Sequence, residues 1–498
     1  LLYQINTRNL LTELSESLGK TATLADISDE YLDAIAEAGF DWVWMLGVWQ
    51  TGPVGEEIAR THPHLQPEFH AALSDFSVAD VVSSPFSIRE YKVHKDHGGT
   101  AALTKLRKRL ARRGLRLMLD FVPNHTARDH AWVRKHPEYF IAGTDADRMA
   151  NPENYCEVKS KSRTMTVAHG RDPYFPGWTD TLQLNYRHLG LQQAMQTELL
   201  AIAERCDAVR CDMAMLVLQD VFQKTWGDRA NPTDGSPPCE TEFWPAAIAA
   251  VKSLHPEFRF MAEVYWDLEF TLQQQGFDFT YDKRLYDRLK WSSAGEIRAH
   301  LRADAEFQRR SVRFLENHDE SRAAAAFPQS QHFAAACIAF FAPGLRFFYD
   351  GQLEGRRNRA VIQLRRRESE QPDPVIRNFY DRLLAILQRT ELHLGEFRLL
   401  DCSNEWEQNP TADQFVVLAW ETSQHRLLVC VNYAANSGQC FVQLPESWLT
   451  GNTVGFHDLF GTADYDRSAA ELRGRGLYLD LPAWGYHAFV VEPGMPQR

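Results

Sequence analysis

Up to about residue 392, short runs of nearly unbroken apolar residues alternate with longer stretches whose apolar positions recur every three or four residues. The first kind predicts strands buried on both faces, the second amphipathic helices. Eight strands are expected, at Leu2–Asn6, Asp41–Leu46, Arg116–Val122, Ala208–Asp212, Arg259–Val264, Phe277–Tyr281, Val312–Glu316 and Leu345–Tyr349. Helices are expected between them at Asp29–Ala38, Thr100–Arg113, Gln192–Arg205, Glu242–Ser253, Lys283–Leu301, Gln331–Ala342 and Ile376–Arg389. Ser28 stands at the N-cap position of the first of these helices and Gly39 just past its end. Eight such alternations predict an α/β fold, a (β/α)8 TIM barrel with its site at the C-terminal strand ends. The opening stretch from Leu2 to Leu10 reads as strand and not as the apolar core of a secretory leader.

Two connections exceed ordinary loop length, Thr51 to Gly99 and His125 to Tyr186, and such excursions are usually functional or small domains. The second is rich in Pro, Gly, Asp and aromatics. It reads as a lobe carrying substrate contacts rather than as a surface decoration. Beyond residue 392 the segments become short, β-rich and turn-separated (Phe415–Trp420, Arg426–Asn432, Cys440–Leu444, His487–Val491), which predicts an all-β sandwich. The expected division is a barrel from residues 1–124 and 187–392, an inserted lobe at 125–186, and a C-terminal β domain at 393–498.

Composition narrows the partners. A net charge of −12, spread without basic blocks, argues against nucleic acid. The basic run Arg107 to Arg113 interleaves with Leu106, Leu110 and Leu115 and is expected to be the solvated side of a helix. The eight cysteines show no CxxC pair or framework spacing, so free thiols and a reducing, cytoplasmic location are expected. The chain opens at Leu1 without a methionine, which leaves export open. No run of about 18 apolar residues occurs, so no membrane association is expected. Oligomeric state is not legible at this level.

Four of the apolar runs end on chemically expensive residues: Leu119-Asp120-Phe121-Val122-Pro123-Asn124-His125, Asp207-Ala208-Val209-Arg210-Cys211-Asp212, Phe260-Met261-Ala262-Glu263-Val264 and Phe314-Leu315-Glu316-Asn317-His318-Asp319. A carboxylate at a buried strand tip is unfavourable unless paired or functional. Four such tips suggest strands converging on one site. Retaining sugar hydrolysis needs this chemistry: a nucleophilic carboxylate, a second carboxyl that stays protonated, and support for an oxocarbenium-like transition state.

With these motifs in this order, the chain resembles the α-amylase superfamily of glycosidases (glycoside hydrolase family 13-like) over essentially its whole length. Ala38-Gly39-Phe40-Asp41-Trp42, Ser84-Pro85-Phe86-Ser87-Ile88, Tyr349-Asp350-Gly351-Gln352 and Pro482 to Tyr486 add to the likeness. The resemblance implies that Asp212 is the nucleophile, Glu263 the general acid and then base, and Asp319 the transition-state stabiliser. It implies that Arg210 orients Asp212, that His125 and His318 donate to the bound ring, that Asn124 braces the turn into the lobe, and that Asp120 is a structural acid. Phe86 stands where relatives place a stacking tyrosine, and platform and core readings are equally open. The carboxyls of Asp212 and Glu263 should lie about 5–5.5 Å apart in a retaining enzyme.

Two segments depart from the family pattern. Where starch-cleaving relatives carry Lys-His after the nucleophile, this chain has Met213-Ala214-Met215-Leu216, and the segment after strand eight reads Gly351-Gln352-Leu353-Glu354. The first departure favours small α-glucosides or oligosaccharides over starch. Calcium, which relatives hold near the counterpart of Asn124, is not expected here. Asp180 is the one further candidate ligand, and hard-cation binding needs about six oxygens. The expected function is an α-amylase/α-glucosidase-type hydrolase acting on soluble oligosaccharides without a cofactor. An α-glucosyl transferase or isomerase with the same acids is the alternative, and a non-catalytic binding protein on an amylase-like barrel the remote one.

Overall fold

The computed structural model describes residues 1–160, 163–404, 406 and 408–493. Eight parallel strands close into a barrel: β1 (Leu2–Asn6), β2 (Trp42–Leu46), β3 (Arg116–Phe121), β4 (Ala208–Cys211), β5 (Arg259–Ala262), β6 (Phe279–Tyr281), β7 (Ser311–Arg313) and β8 (Leu345–Tyr349). Their order around the barrel is β1-β8-β7-β6-β5-β4-β3-β2. Several strands stop a residue or more before the sequence pattern does. Asp212 and Glu263 therefore sit just past the ends of β4 and β5, where backbone leaves the ladder and side chains reach the mouth. Aromatic side chains fill the barrel below, with Trp44, Tyr281, Phe314 and Phe347 in mutual ring contact.

Local signals hold where they are chemical. Ser28 Oγ accepts from the Tyr31 amide at the start of helix Asp29–Glu37, and Gly39 follows its end at φ 87°. Two expectations change. The opening strand ends at Asn6, whose side chain accepts from the Asn9 amide and caps a helix over Thr7–Leu18. The stretch from Lys283 to Leu301 is two helices, because Ser293 and Glu296 form a reciprocal capping box that starts the second. The basic run is also more engaged than a solvated face: Arg107 pairs with Asp207, Arg109 with Asp29 and Arg113 with Asp33.

After β3, residues 125–127 pair with 181–183, and a hairpin joins Tyr155–Ser160 to Arg163–Ala168. The excursion after β2 holds helices Pro53–Thr61 and Leu65–Ala72. C-terminal to the barrel, a six-stranded and a three-stranded sheet enclose a core that includes Val417, Leu428, Cys440 and Trp448. This unit is fastened to the barrel by the Trp420 indole donating to Phe341 O (2.8 Å) and by Phe460 stacked on Phe379 (5.5 Å). No disulfide joins the eight cysteines. Among the described residues no helix is long and apolar enough to cross a membrane.

Candidate active site

A cavity of about 340 Å³ opens at the C-terminal ends of the barrel strands. Asp212, Glu263 and Asp319 line it, with His125 and Phe86. The β4 alternation buries Arg210 two residues before Asp212, on the same face. Its Nη1 donates to Asp212 Oδ1 at 2.6 Å and its Nη2 lies 2.8 Å from Glu263 Oε2 without an aligned hydrogen bond, so one guanidinium stands against both carboxyls. The fully buried cation is enclosed by the rings of Trp44, Phe86 and Tyr281, 5.2–5.7 Å from its carbon.

Glu263 is buried, and its pKa is pushed up to about 8, first by loss of solvation, with the nearby charges of Asp212 and Asp319 adding and Arg210 opposing. Oε2 accepts from the Met213 amide at 2.7 Å, and Oε1 accepts from the Tyr265 hydroxyl at 2.9 Å. Asp319 is the most open of the three acids, with its side chain 39% exposed. Its amide donates to Asn317 Oδ1, fixing the turn after β7.

The two histidines are held uncharged by burial, which lowers both pKa values. His125 lies against Trp178 (centroids 5.2 Å apart). His318 Nδ1 takes a 2.9 Å hydrogen bond from Gln4 Nε2, which places the ring proton on Nε2. That Nε2 is buried, 3.0 Å from Asp319 Oδ2 but out of hydrogen-bonding alignment, and it has no hydrogen-bond partner among the described residues. Phe86 is both wall and support, since its ring touches Arg210 and His318 (5.3 Å) while lining the cavity.

Asp120 does not reach the cavity. It accepts from the Trp44 indole (2.9 Å) and the Gly47 amide (2.7 Å), bracing the turn after β2. Asn124 is likewise structural. Gln183 Nε2 donates to its Oδ1 (2.9 Å), to its carbonyl (3.0 Å) and to Leu184 O (3.0 Å). An amide nitrogen thus stands among the oxygens that a calcium ion would have to collect. The carbonyl of Asp180 accepts from Ser87 Oγ. Among the described residues no cluster of three or more His, Cys, Asp or Glu is arranged to hold a metal.

Of the apolar stretch after Asp212, only Met213 reaches the cavity; Met215 and Leu216 are core. Met213 adopts a left-handed conformation (φ 41°), which turns its amide onto Glu263. Sequence reasoning missed Gln4, Tyr265, Trp178 and the cavity residues Ser84, Ile362 and Gln363. Two left a trace: Tyr265 is two residues beyond Glu263, and Gln4 is a lone polar side chain inside the apolar run of β1. Trp266, next to Tyr265, is left-handed (φ 65°) and packs edge-on against Tyr174 of the inserted lobe (5.0 Å).

Residues 23–380 match the family model of the α-amylase catalytic domain. The chain is 24% identical over 366 residues to "Alpha-amylase MalA" of Haloarcula japonica, covering 72% of this chain and 44% of that protein. It is 27% identical over 227 residues to an α-glucosidase of Culex pipiens, covering 44% and 34%. The chain thus spans less than half the length of these relatives. Among solved structures, an α-amylase from Lactobacillus plantarum matches with a TM-score of 0.66 at 19% identity, covering 98% of both chains. An isomaltulose synthase mutant from Erwinia rhapontici NX5, in complex with sucrose, matches at 0.64 and 15%, covering 99% and 98%. These structures share the fold.

Proposed function

The chain belongs to the α-amylase family of glycosidases, and from that premise we propose that it is a retaining α-glycoside hydrolase of soluble oligosaccharides or small α-glucosides. The observation that carries the reading is the Arg210 pairing: one cation is bonded to Asp212 and lies beside Glu263, while burial keeps Glu263 protonated near neutral pH. A carboxyl kept protonated next to a second carboxyl bonded to a guanidinium suits the division of labour that double displacement requires.

In this reading the anomeric carbon of the sugar faces Asp212. Glu263 gives its proton to the glycosidic oxygen as Asp212 attacks from the opposite face, forming a glycosyl ester. Arg210 orients the attacking oxygen. Asp319 and the Nε2–H of His318 bond ring hydroxyls as positive charge develops, with His125 across the ring and Phe86 against its face. Glu263, now a carboxylate, takes a proton from water, which attacks the ester and returns the product with its original configuration.

The test is a panel of α-glucosides followed by NMR, together with trapping by a fluorinated glycosyl donor. Release of the α-anomer and a covalent label on Asp212 are expected. Initial release of the β-anomer, or a label on another residue, would overturn the reading.

A further inference from the structure

Glu263 follows β5, and the barrel order places β5 diametrically across the mouth from β1, which is flanked by β8 and β2. Over β8, β1 and β2 the mouth carries two segments that, Phe86 apart, the proposed chemistry does not use. One is part of the excursion after β2, residues 73–86. The other is residues 353–373, after β8.

The two are fastened together along their length. The Val82 amide donates to Gln363 O (2.8 Å) and the Arg365 amide to Asp80 O (2.9 Å), with Val81 bridged to Leu364 between them. Arg366 forks onto both oxygens of Asp80 (2.7 and 2.8 Å) and reaches Asp75 (2.8 Å), a geometry stronger than a simple ion pair. Behind this seam Phe69, Leu73 and Val81 pack with Val361 and Leu364 in an apolar cluster separate from the barrel core. The inner face contributes Ser84, Phe86, Ile362 and Gln363 to the cavity.

We propose that this wall closes the glycone end of the cleft, so that the enzyme acts from the non-reducing ends of α-glucosides and not within chains. The inference rests on the hydrolase reading. The acid must reach the oxygen on C1, so the leaving group lies on the Glu263 side. In a pyranose C4 lies across the ring from C1, so the C4 hydroxyl faces the wall. Internal cleavage would need a further sugar attached at that hydroxyl, on the side of the cavity lined by Gln363, Ile362 and Ser84. A seam with its own apolar core and a forked ion pair is part of the fold rather than a loop lying over it.

The experiment compares 4-nitrophenyl α-glucoside with two 4-nitrophenyl α-maltotriosides, one with a free non-reducing end and one with that end capped as a 4,6-ketal, products being read by chromatography. The glucoside and the free-ended trioside should be cleaved, the trioside from its non-reducing end, and the capped trioside about a hundredfold more slowly or less. Similar rates on capped and free triosides, with the glucoside cleaved, would overturn the wall and leave the chemistry standing. Cleavage of the triosides but not of the glucoside would likewise count against the wall, whereas failure on all three substrates would overturn the hydrolase reading and the inference with it. Arg366→Ala, which leaves the cleft residues in place, should raise the capped-to-free ratio about tenfold. An unchanged ratio in a variant that melts as a folded protein would count against a closing role for the seam.

Discussion

The floor and the wall of the cleft are built from opposite kinds of sequence. On the floor, Asp212 and Glu263 each follow a barrel strand by one residue, and Arg210 and Gln4 lie within strands. Their geometry is set by the barrel ladder, for instance Arg210 in register with Met261 on β5 and Asp120 on β3. The wall is held by contacts between distant segments, Arg366 to Asp80 across 286 positions and Arg367 to Glu13 across 354. Chemistry is thus fixed by the rigid common scaffold, while access to it is set by two excursions that can be altered without disturbing a barrel strand.

The strongest break in this comparison comes from the floor. Asp212→Asn keeps the shape of the side chain and its place beside Arg210 but removes the proposed nucleophile. Turnover should fall by many powers of ten on every substrate, with the melting temperature little changed. A small or substrate-dependent loss would mean that the floor is not where bonds are made.

Glu263→Gln should discriminate between substrates. Without the acid, sugar leaving groups stall, whereas aryl or fluoride leaving groups need little protonation and should retain most of their rate of glycosylation; azide should then accelerate the second step. The pH profile adds a sign. In the proposed mechanism the acid form of Glu263 is the active one, and its pKa is raised to about 8, so the wild-type rate on natural glycosides should decline as pH rises through about 8. That limb should vanish from the glycosylation step of the glutamine variant on activated donors. An equal defect on all donors would reassign Glu263.

The contrast also explains what could be seen in the sequence. The floor was legible because a charged residue closing an apolar run is a local anomaly, and the barrel brings such tips together whatever the loops do. All eight strands were found, and Asp212, Glu263, Asp319, Arg210, His125 and His318 converge. Legibility failed in two ways. The helix at Thr7–Leu18 was hidden because its first turn continues the apolar run of β1, and only the Asn6 side chain marks the change. Ser84, Ile362 and Gln363 were invisible as cavity residues because nothing near them in the chain encodes their meeting. The Arg366 fork and the shared apolar cluster exist only after folding.

The leaving-group side gives a smaller, sharper test. No lysine or arginine among the described residues lines the cavity, and Met213 is the one residue of the apolar stretch that faces it. A charged donor to a second glucose unit would contribute roughly 1.5–3 kcal/mol, or one to two powers of ten in specificity. The kcat/KM on soluble starch should therefore lie below that on di- and trisaccharides by about that factor. Starch as the best substrate, cut internally, would break the wall and the reading of Met213 together.

The smallest expected effect lies where the strand scaffold tunes a floor residue without touching substrate. Gln4 on β1 donates to Nδ1 of His318 and so keeps the ring proton on Nε2, the atom proposed to bond the sugar. Gln4→Leu removes one hydrogen bond beneath an otherwise buried ring. Such a bond contributes about 0.5–1.5 kcal/mol, so kcat/KM should fall by roughly tenfold at most. A packing role would predict the same, and Gln4→Glu separates the two. A carboxylate can only accept, so it would draw the proton to Nδ1 and leave Nε2 without one, unless the ring takes a second proton. That second proton is opposed in the wild type by burial and by Arg210; a carboxylate at position 4 would favour it and raise the pKa of His318. The Gln4→Glu enzyme should therefore lose more activity than Gln4→Leu at neutral pH and recover part of it as pH falls, because protonation restores the Nε2 donor. Equal losses in the two variants, with unchanged pH profiles, would show that Gln4 only fills space beneath His318.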